Sequence, residues 1–314
     1  MPRTIIVGLD GSPESRAAAD WAAREAELRG LPVKLVQVWE PIPEPMAQAP
    51  LLGSETHQRW TGRGETDVPR AEGWGRIPHE AAEGLRLRHP GVEVTTERLT
   101  GSPAETLIEA AEDAELLVLG SRGLSGLGGF LVGSVGHAVV AHTERPVVLV
   151  RAGEQAADEK ETDGAGTPSA GTAAGPVVLG LDIARPDEAL LEFAFDAAAR
   201  RNVPLHVVHA WNPPPYYAYG MALEPAVERE MAKGDVVVLS EVLRPWREKH
   251  PGVKVVELSH YGSPSLLLID ASHEASLVVV GRRIRRSAVG AHLGIVTQAV
   301  LHHAVAPVAV VAHA

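Results

Sequence analysis

Residues 116–135 read LLVLGSRGLSGLGGFLVGSV, and the fold turns on how this stretch divides. Leu116 to Leu119 is a short apolar run, the pattern of a strand covered on both faces. Gly120 and Gly123 follow, nine residues intervene, and Gly133-Ser134-Val135 opens a helical pattern that runs to Ala141. A strand that passes through glycines into a helix N-terminus has the geometry of an anion cradle. The glycines let backbone N–H groups approach without a Cβ in the way, and the free N–H groups of the helix, with its dipole, favour a phosphate beside Ser134. Gly126, Gly128 and Gly129 crowd the same segment, which on its own would read as a surface loop. The strand before it and the helix after it carry the reading. No G-x-x-x-x-G-K-[ST] occurs, and Gly126 and Gly128 lack the third glycine of a dinucleotide fingerprint because Leu131 stands in its place.

Upstream, the same alternation of apolar runs and helical patterns continues. Thr4 to Leu9 is a strand, with Ser12 as N-cap and Pro13 as first residue of a helix that should bury Ala18, Trp21, Ala22 and Leu28. Val33 to Val38, Val92 to Leu99 and Val147 to Val150 are further strands, separated by helices near Glu80 to Arg88, Ala104 to Ala111 and Ser134 to Ala141. Ser102 and Ser263, each in Gly-Ser-Pro, are expected to cap the helix that follows. Strands alternating with helices imply a parallel sheet covered on both sides, a doubly wound five-stranded α/β domain of Rossmann-like type.

The chain then repeats itself. Gly8-Leu9-Asp10, Trp21 and Trp39 recur 172 positions later as Gly180-Leu181-Asp182, Phe193 and Trp211. His89-Pro90-Gly91-Val92, Gly120, Gly133 and Pro146 recur 161 positions later as His250-Pro251-Gly252-Val253, Gly281, Gly294 and Pro307. Two tandem domains follow, residues 1–151 and 176–314, joined by a flexible Gly-, Ala-, Ser- and Thr-rich linker over 152–175. An uncovered parallel-sheet edge is an aggregation hazard, so the two copies are expected to pair through their fifth strands, Val147 to Val150 and Val308 to Val311. A homodimer is a further option.

Composition bounds the partners. The 314 residues carry a formal net charge of −11, which repels phosphate backbones and anionic lipids, so neither nucleic acid nor a membrane is an expected partner. No cysteine occurs, which removes disulfides and thiol chemistry. No apolar run approaches the roughly 18 residues that span a bilayer, and a cytoplasmic location is expected. The 14 histidines do not assemble into a metal motif: His206 and His209 sit three apart on a strand and face opposite ways, and His302 and His303 are adjacent at a helix end. The prolines after Trp39 and Trp211 read as stiff loop exits, with the tryptophans plugging the edge of the core.

The spacing of Gly120, Gly123, Gly133 and Ser134, together with a first strand ending in Asp10-Gly11-Ser12, resembles the universal stress protein family in its tandem, two-domain form. The similarity covers the chain apart from the linker. It implies an ATP-binding regulatory protein, the nucleotide held in the first domain, with Mg2+ as an optional companion. By that resemblance Gly8 belongs to the binding residues, Asp10 lies at the adenosine and the backbone of Val38 meets the adenine. Gly120, Arg122, Gly123, Gly133, Ser134 and Val135 wrap the ribose and phosphates. The second copy departs from the pattern, because Ile284 stands for the second glycine and Ile295 for the serine. A β-branched residue resists φ > 0 and blocks close backbone approach. Arg282, Arg283, Arg285 and Arg286 could attract an anion there and Thr297 could supply a hydroxyl, but an altered or empty site is the expectation. No general base is evident beside the loop, so a catalytic role is not expected. Slow ATP hydrolysis, self-phosphorylation, or a ligand-free interaction module are the competing readings.

Overall fold

The computed structural model describes residues 3–40, 69–121, 133–152, 175–211, 225–284 and 293–314. The first half contains β1 (Thr4–Leu9), α1 (Pro13–Arg29), β2 (Val33–Trp39), α2 (Pro69–Arg88), β3 (Val94–Thr100), α3 (Pro103–Ala111), β4 (Ala114–Ser121), α4 (Ser134–His142) and β5 (Val147–Arg151). The second contains β6 (Val177–Gly180), α5 (Glu188–Arg201), β7 (Leu205–Trp211), α6 (Pro225–Lys249), β8 (Val255–Tyr261), α7 (Pro264–Ala271), β9 (Leu277–Arg283), α8 (Ile295–His303) and β10 (Val308–His313). The strands form one ten-stranded sheet in the order β3-β2-β1-β4-β5-β10-β9-β6-β7-β8. Each half is a five-stranded parallel sheet. The halves join antiparallel, with Val308 opposite Leu149 and Val310 opposite Val147.

Each strand feeds two cores because its side chains alternate. In β1, Ile5, Val7 and Leu9 enter one apolar layer and Ile6 the other. Helix α1 starts where Ser12 Oγ accepts the Ser15 N–H at 3.1 Å and stops at Gly30, whose φ of +64° a side chain would resist. It buries Ala18, Trp21 and Ala22, but Leu28 is exposed. In that last turn the covered side carries Glu25 and Arg29, which face the second half. Trp39 does not plug the core edge either: it stands 42% exposed at the end of β2. Strand β3 begins at Val94, two residues later than the apolar run suggests, because the Val92 N–H closes a turn onto the His89 carbonyl. Ser102 and Ser263 hold the N-cap positions of α3 and α7 without a side-chain cap bond, and the Ser263 hydroxyl pairs with that of Ser265 instead.

The contact between halves repeats about a pseudo-twofold axis. Arg29 lies over the Phe193 ring and Arg201 over the Trp21 ring, and both pairs are related by the 172-residue offset. Glu25, 2% exposed, accepts from both guanidiniums. On the other side of the sheet, Arg282 donates to the Thr143 carbonyl at the end of α4, and Arg151 donates to the Leu301 carbonyl in the last turn of α8. A guanidinium suits a helix C-terminus, where carbonyls are unpaired and the dipole is negative. Burial lowers the Arg151 pKa to about 10.

Candidate functional site

The strand order reverses between β1 and β4, and in such sheets ligands bind outside the carboxyl ends of the strands at the reversal. A cleft of about 530 Å³ opens there. Seven of the nine expected site residues line it: Gly8, Asp10, Val38, Gly120, Gly133, Ser134 and Val135. Arg122 and Gly123 lie outside the described residues, as do Gly126, Gly128 and Gly129.

Asp10 is exposed at the rim and fixed by a tight turn. Its Oδ1 accepts the Ser12 N–H at 3.0 Å and the Ser12 hydroxyl at 2.5 Å, while Ser12 Oγ accepts from Ser15 to start α1. The two glycines at the floor act by packing. A Cβ on Gly8 would lie 2.6 Å from the Leu119 side chain. One on Gly120 would lie 2.5 Å from the Glu14 carbonyl carbon. Gly120 therefore makes room for the first turn of α1 while its backbone lines the cleft. Gly133 behaves differently, because a Cβ there would meet nothing within 4 Å among the described residues. It is the N-cap of α4, and as a glycine it brings no side chain of its own to cap that helix. A helix N-terminus of this kind, beside exposed Ser134, presents N–H groups that suit an anion.

Val36, Leu107, Leu119 and Val135 make an apolar wall, and Val38 sits on β2 in register with Leu99 of β3. Among the described lining residues Asp10 is the one ionisable side chain, and of these residues it is those at the α4 N-terminus that can attract an anion. Sequence reasoning did not single out Ser12 as a rim residue, nor Ser15, Gln37 or Leu107. Gln37 could have been noticed as a polar residue within an apolar strand; its Oε1 is buried without a partner among the described residues.

A second cleft of about 420 Å³ occupies the matching place in the second half. Its rim acid Asp182 makes the same turn, accepting the Ala184 N–H at 3.1 Å. Ile295 is 87% exposed where the first copy has Ser134, and Arg283 lines the cleft at the position of Arg122. Ile284 N–H donates to the His313 carbonyl at 2.7 Å, which ties it to β10. Thr297 does not offer its hydroxyl to a ligand, because it donates to the Gly281 carbonyl at 2.8 Å. Glu192, Asp196 and His250 come close enough to hold a cation, yet none lines either cleft and Glu192 is already paired with Lys249. Among the described residues no helix is long and apolar enough to cross a membrane.

Comparison with known proteins places this architecture. The family model described as the universal stress protein family matches residues 1–151 and 174–312. A universal stress protein of Mycolicibacterium smegmatis is 33% identical over 312 residues, spanning 98% of this chain and 96% of its own. One from Mycobacterium tuberculosis is 32% identical over 310 residues, covering 98% and 94%. The crystal structure of a universal stress protein from Archaeoglobus fulgidus superposes with a TM-score of 0.67 at 17% identity, over 99% of this chain and 98% of that one, and shares the fold. With two family segments, relatives matched end to end and a doubly wound sheet in each half, the chain belongs to the universal stress protein family.

Proposed function

We propose that the first cleft binds an adenine nucleotide, ATP in the first instance, and that the chain is a cytoplasmic stress-response regulator whose nucleotide occupancy is read by another macromolecule. The observation that carries this is the N-terminus of α4, with glycine at its cap (Gly133), at a cleft with an apolar wall. The wall suits a flat base, Asp10 suits the ribose hydroxyls, and the α4 N–H groups suit phosphate oxygens. Asp10 is also the carboxylate that could share a Mg2+ ion with those oxygens. Binding without turnover is favoured because no described lining residue is placed as a general base: Asp10 is engaged by Ser12. The paired halves would form the regulatory unit, with β5 against β10 and Glu25 between Arg29 and Arg201.

The test is mass spectrometry of the full chain purified without added ligand, followed by calorimetry with ATP, ADP and AMP and an assay for released phosphate. Co-purified adenine nucleotide, saturable ATP binding and no phosphate release are expected. Absence of ATP binding by the folded chain would overturn the ligand, and steady turnover would overturn the non-enzymatic role.

A further inference from the structure

One cluster of ligating side chains stands apart from both clefts. Glu192 and Asp196 lie one turn apart on α5, and His250 directly follows Lys249, the last residue of α6. A carboxylate oxygen from each acid and a ring nitrogen of His250 all lie within 4.8 Å of one another. The i,i+4 spacing puts both acids on one face of their helix, as a chelate requires. Two like charges at that spacing repel, so α5 gains nothing from the pair by itself.

The imidazole supplies an observation of a different kind. Its Nε2 is buried and has no hydrogen-bond partner among the described residues. Packing holds the ring instead: its centroid lies 5.4 Å from that of Phe195 and 6.4 Å from that of Trp246. A buried ring nitrogen without a partner carries a desolvation cost that a purely structural histidine avoids by pairing. The first half has the paired version. There His89 occupies the place of His250, and its Nδ1 lies 3.0 Å from Glu27. The 172-residue offset puts Ala199 where Glu27 stands and Asp196 where Arg24 stands. Glu192 replaces Asp20, and each is paired with the basic residue that precedes the histidine, Lys249 or Arg88. The second half has thus lost the direct partner of its histidine, gained an acid one turn earlier on the same helix, and removed an arginine that would repel a cation.

We infer that Glu192, Asp196 and His250 form a site for a divalent transition-metal ion, of which Zn2+ best fits one imidazole with two carboxylates. Mg2+ and Ca2+ take oxygen ligands and gain little from the histidine. The ion draws the three side chains together, offsets the repulsion of the acids and gives the imidazole a partner. It ties the middle of α5 to the end of α6. Lys249 and Arg200, which pair with the two acids, give way at little cost because they are 54% and 37% exposed. Lys249 already lies 5.0 Å over the Trp246 ring. None of the three ligands lines either cleft, and the site does not depend on what the clefts bind.

The probe is Zn2+, titrated by calorimetry into the full chain after removal of metal with a chelator, with Mg2+ titrated in parallel. One equivalent of Zn2+ is expected, which His250→Gln and Asp196→Arg should each weaken at least about tenfold. Zn2+ at a hundredfold its dissociation constant should raise the melting midpoint of the parent chain by about 4 °C, and that of either variant by about half as much or less. Asp196→Arg installs the first-half residue at a partly exposed position, so it decides the matter if His250→Gln melts early. A parent chain that takes up no Zn2+, a folded variant that binds it as the parent does, or Mg2+ bound as tightly as Zn2+ would each overturn the inference.

Discussion

Glu25→Ala should loosen the contact between halves more than any exposed ion-pair change. The carboxylate is 2% exposed, and it accepts from Arg29 Nε at 2.5 Å and from the Arg201 guanidinium of the other half. Burial lowers the Arg201 pKa and the neighbouring charge of Glu25 raises it back, while Arg29 pulls it down again. Without Glu25, two guanidiniums whose side chains are 6% and 9% exposed face each other with no shared counter-charge. Removing one partner of a buried pair costs about 3–5 kcal/mol. The lower end applies here, because Arg29 keeps a 3.7 Å contact with Glu115 and Arg201 donates to the Ala197 carbonyl at 3.1 Å. A loss of about 3 kcal/mol corresponds to a fall in melting midpoint of roughly 4–5 °C for 314 residues melting as one unit. Calorimetric melting of the full chain measures it, with Glu248→Ala as the reference. Glu248 pairs with Arg244 at the surface, and its loss should cost about 0.5 kcal/mol or less. If Glu25→Ala melts within a degree or two of the Glu248→Ala chain, the two halves are not held together across this face.

Gly133→Leu meets no described residue at its Cβ, so the melting midpoint should hold within about 2 °C while ATP affinity falls tenfold or more, read by calorimetry. Gly120→Ala should do the reverse of a pure binding change, destabilising the first half by about 1–3 kcal/mol in urea titration because the new methyl meets the backbone of α1. Desolvation on β7, aided by Lys254 and opposed by Glu274, lowers the pKa of His206. The folded chain therefore resists protonating it. That contribution to stability is complete above the ordinary histidine pKa of about 6.5 and is lost as pH falls toward the lowered value. Melting curves at pH 7.5 and 5.5 should show a smaller acid-induced drop for His206→Gln than for the parent.

Much of this molecule was legible in the chain because the signals are local or periodic. Runs such as Leu116 to Leu119 carry their burial on both faces, Pro13 and Gly30 punctuate a helix by their own φ preferences, and a repeat at 172 and 161 positions shows wherever the residues coincide. The cleft followed from these, since strand order in a doubly wound sheet brings Asp10, Gly120 and Gly133 to one edge. What each residue meets across the fold was not legible. Leu28 and Trp39 looked like core residues and are exposed, because exposure at the end of an element depends on what lies beyond it. That Gly120 is also the seat of a helix was not legible, since the atom that forbids a side chain belongs to Glu14, over a hundred positions away. Glu25 between two arginines, and His313 over Gly281, carry no sequence signature at all. Pattern reveals which face of an element is apolar, but α5 begins at Glu188 where the 172-residue offset from Pro13 would put 185, and only the packed structure decides where that turn falls.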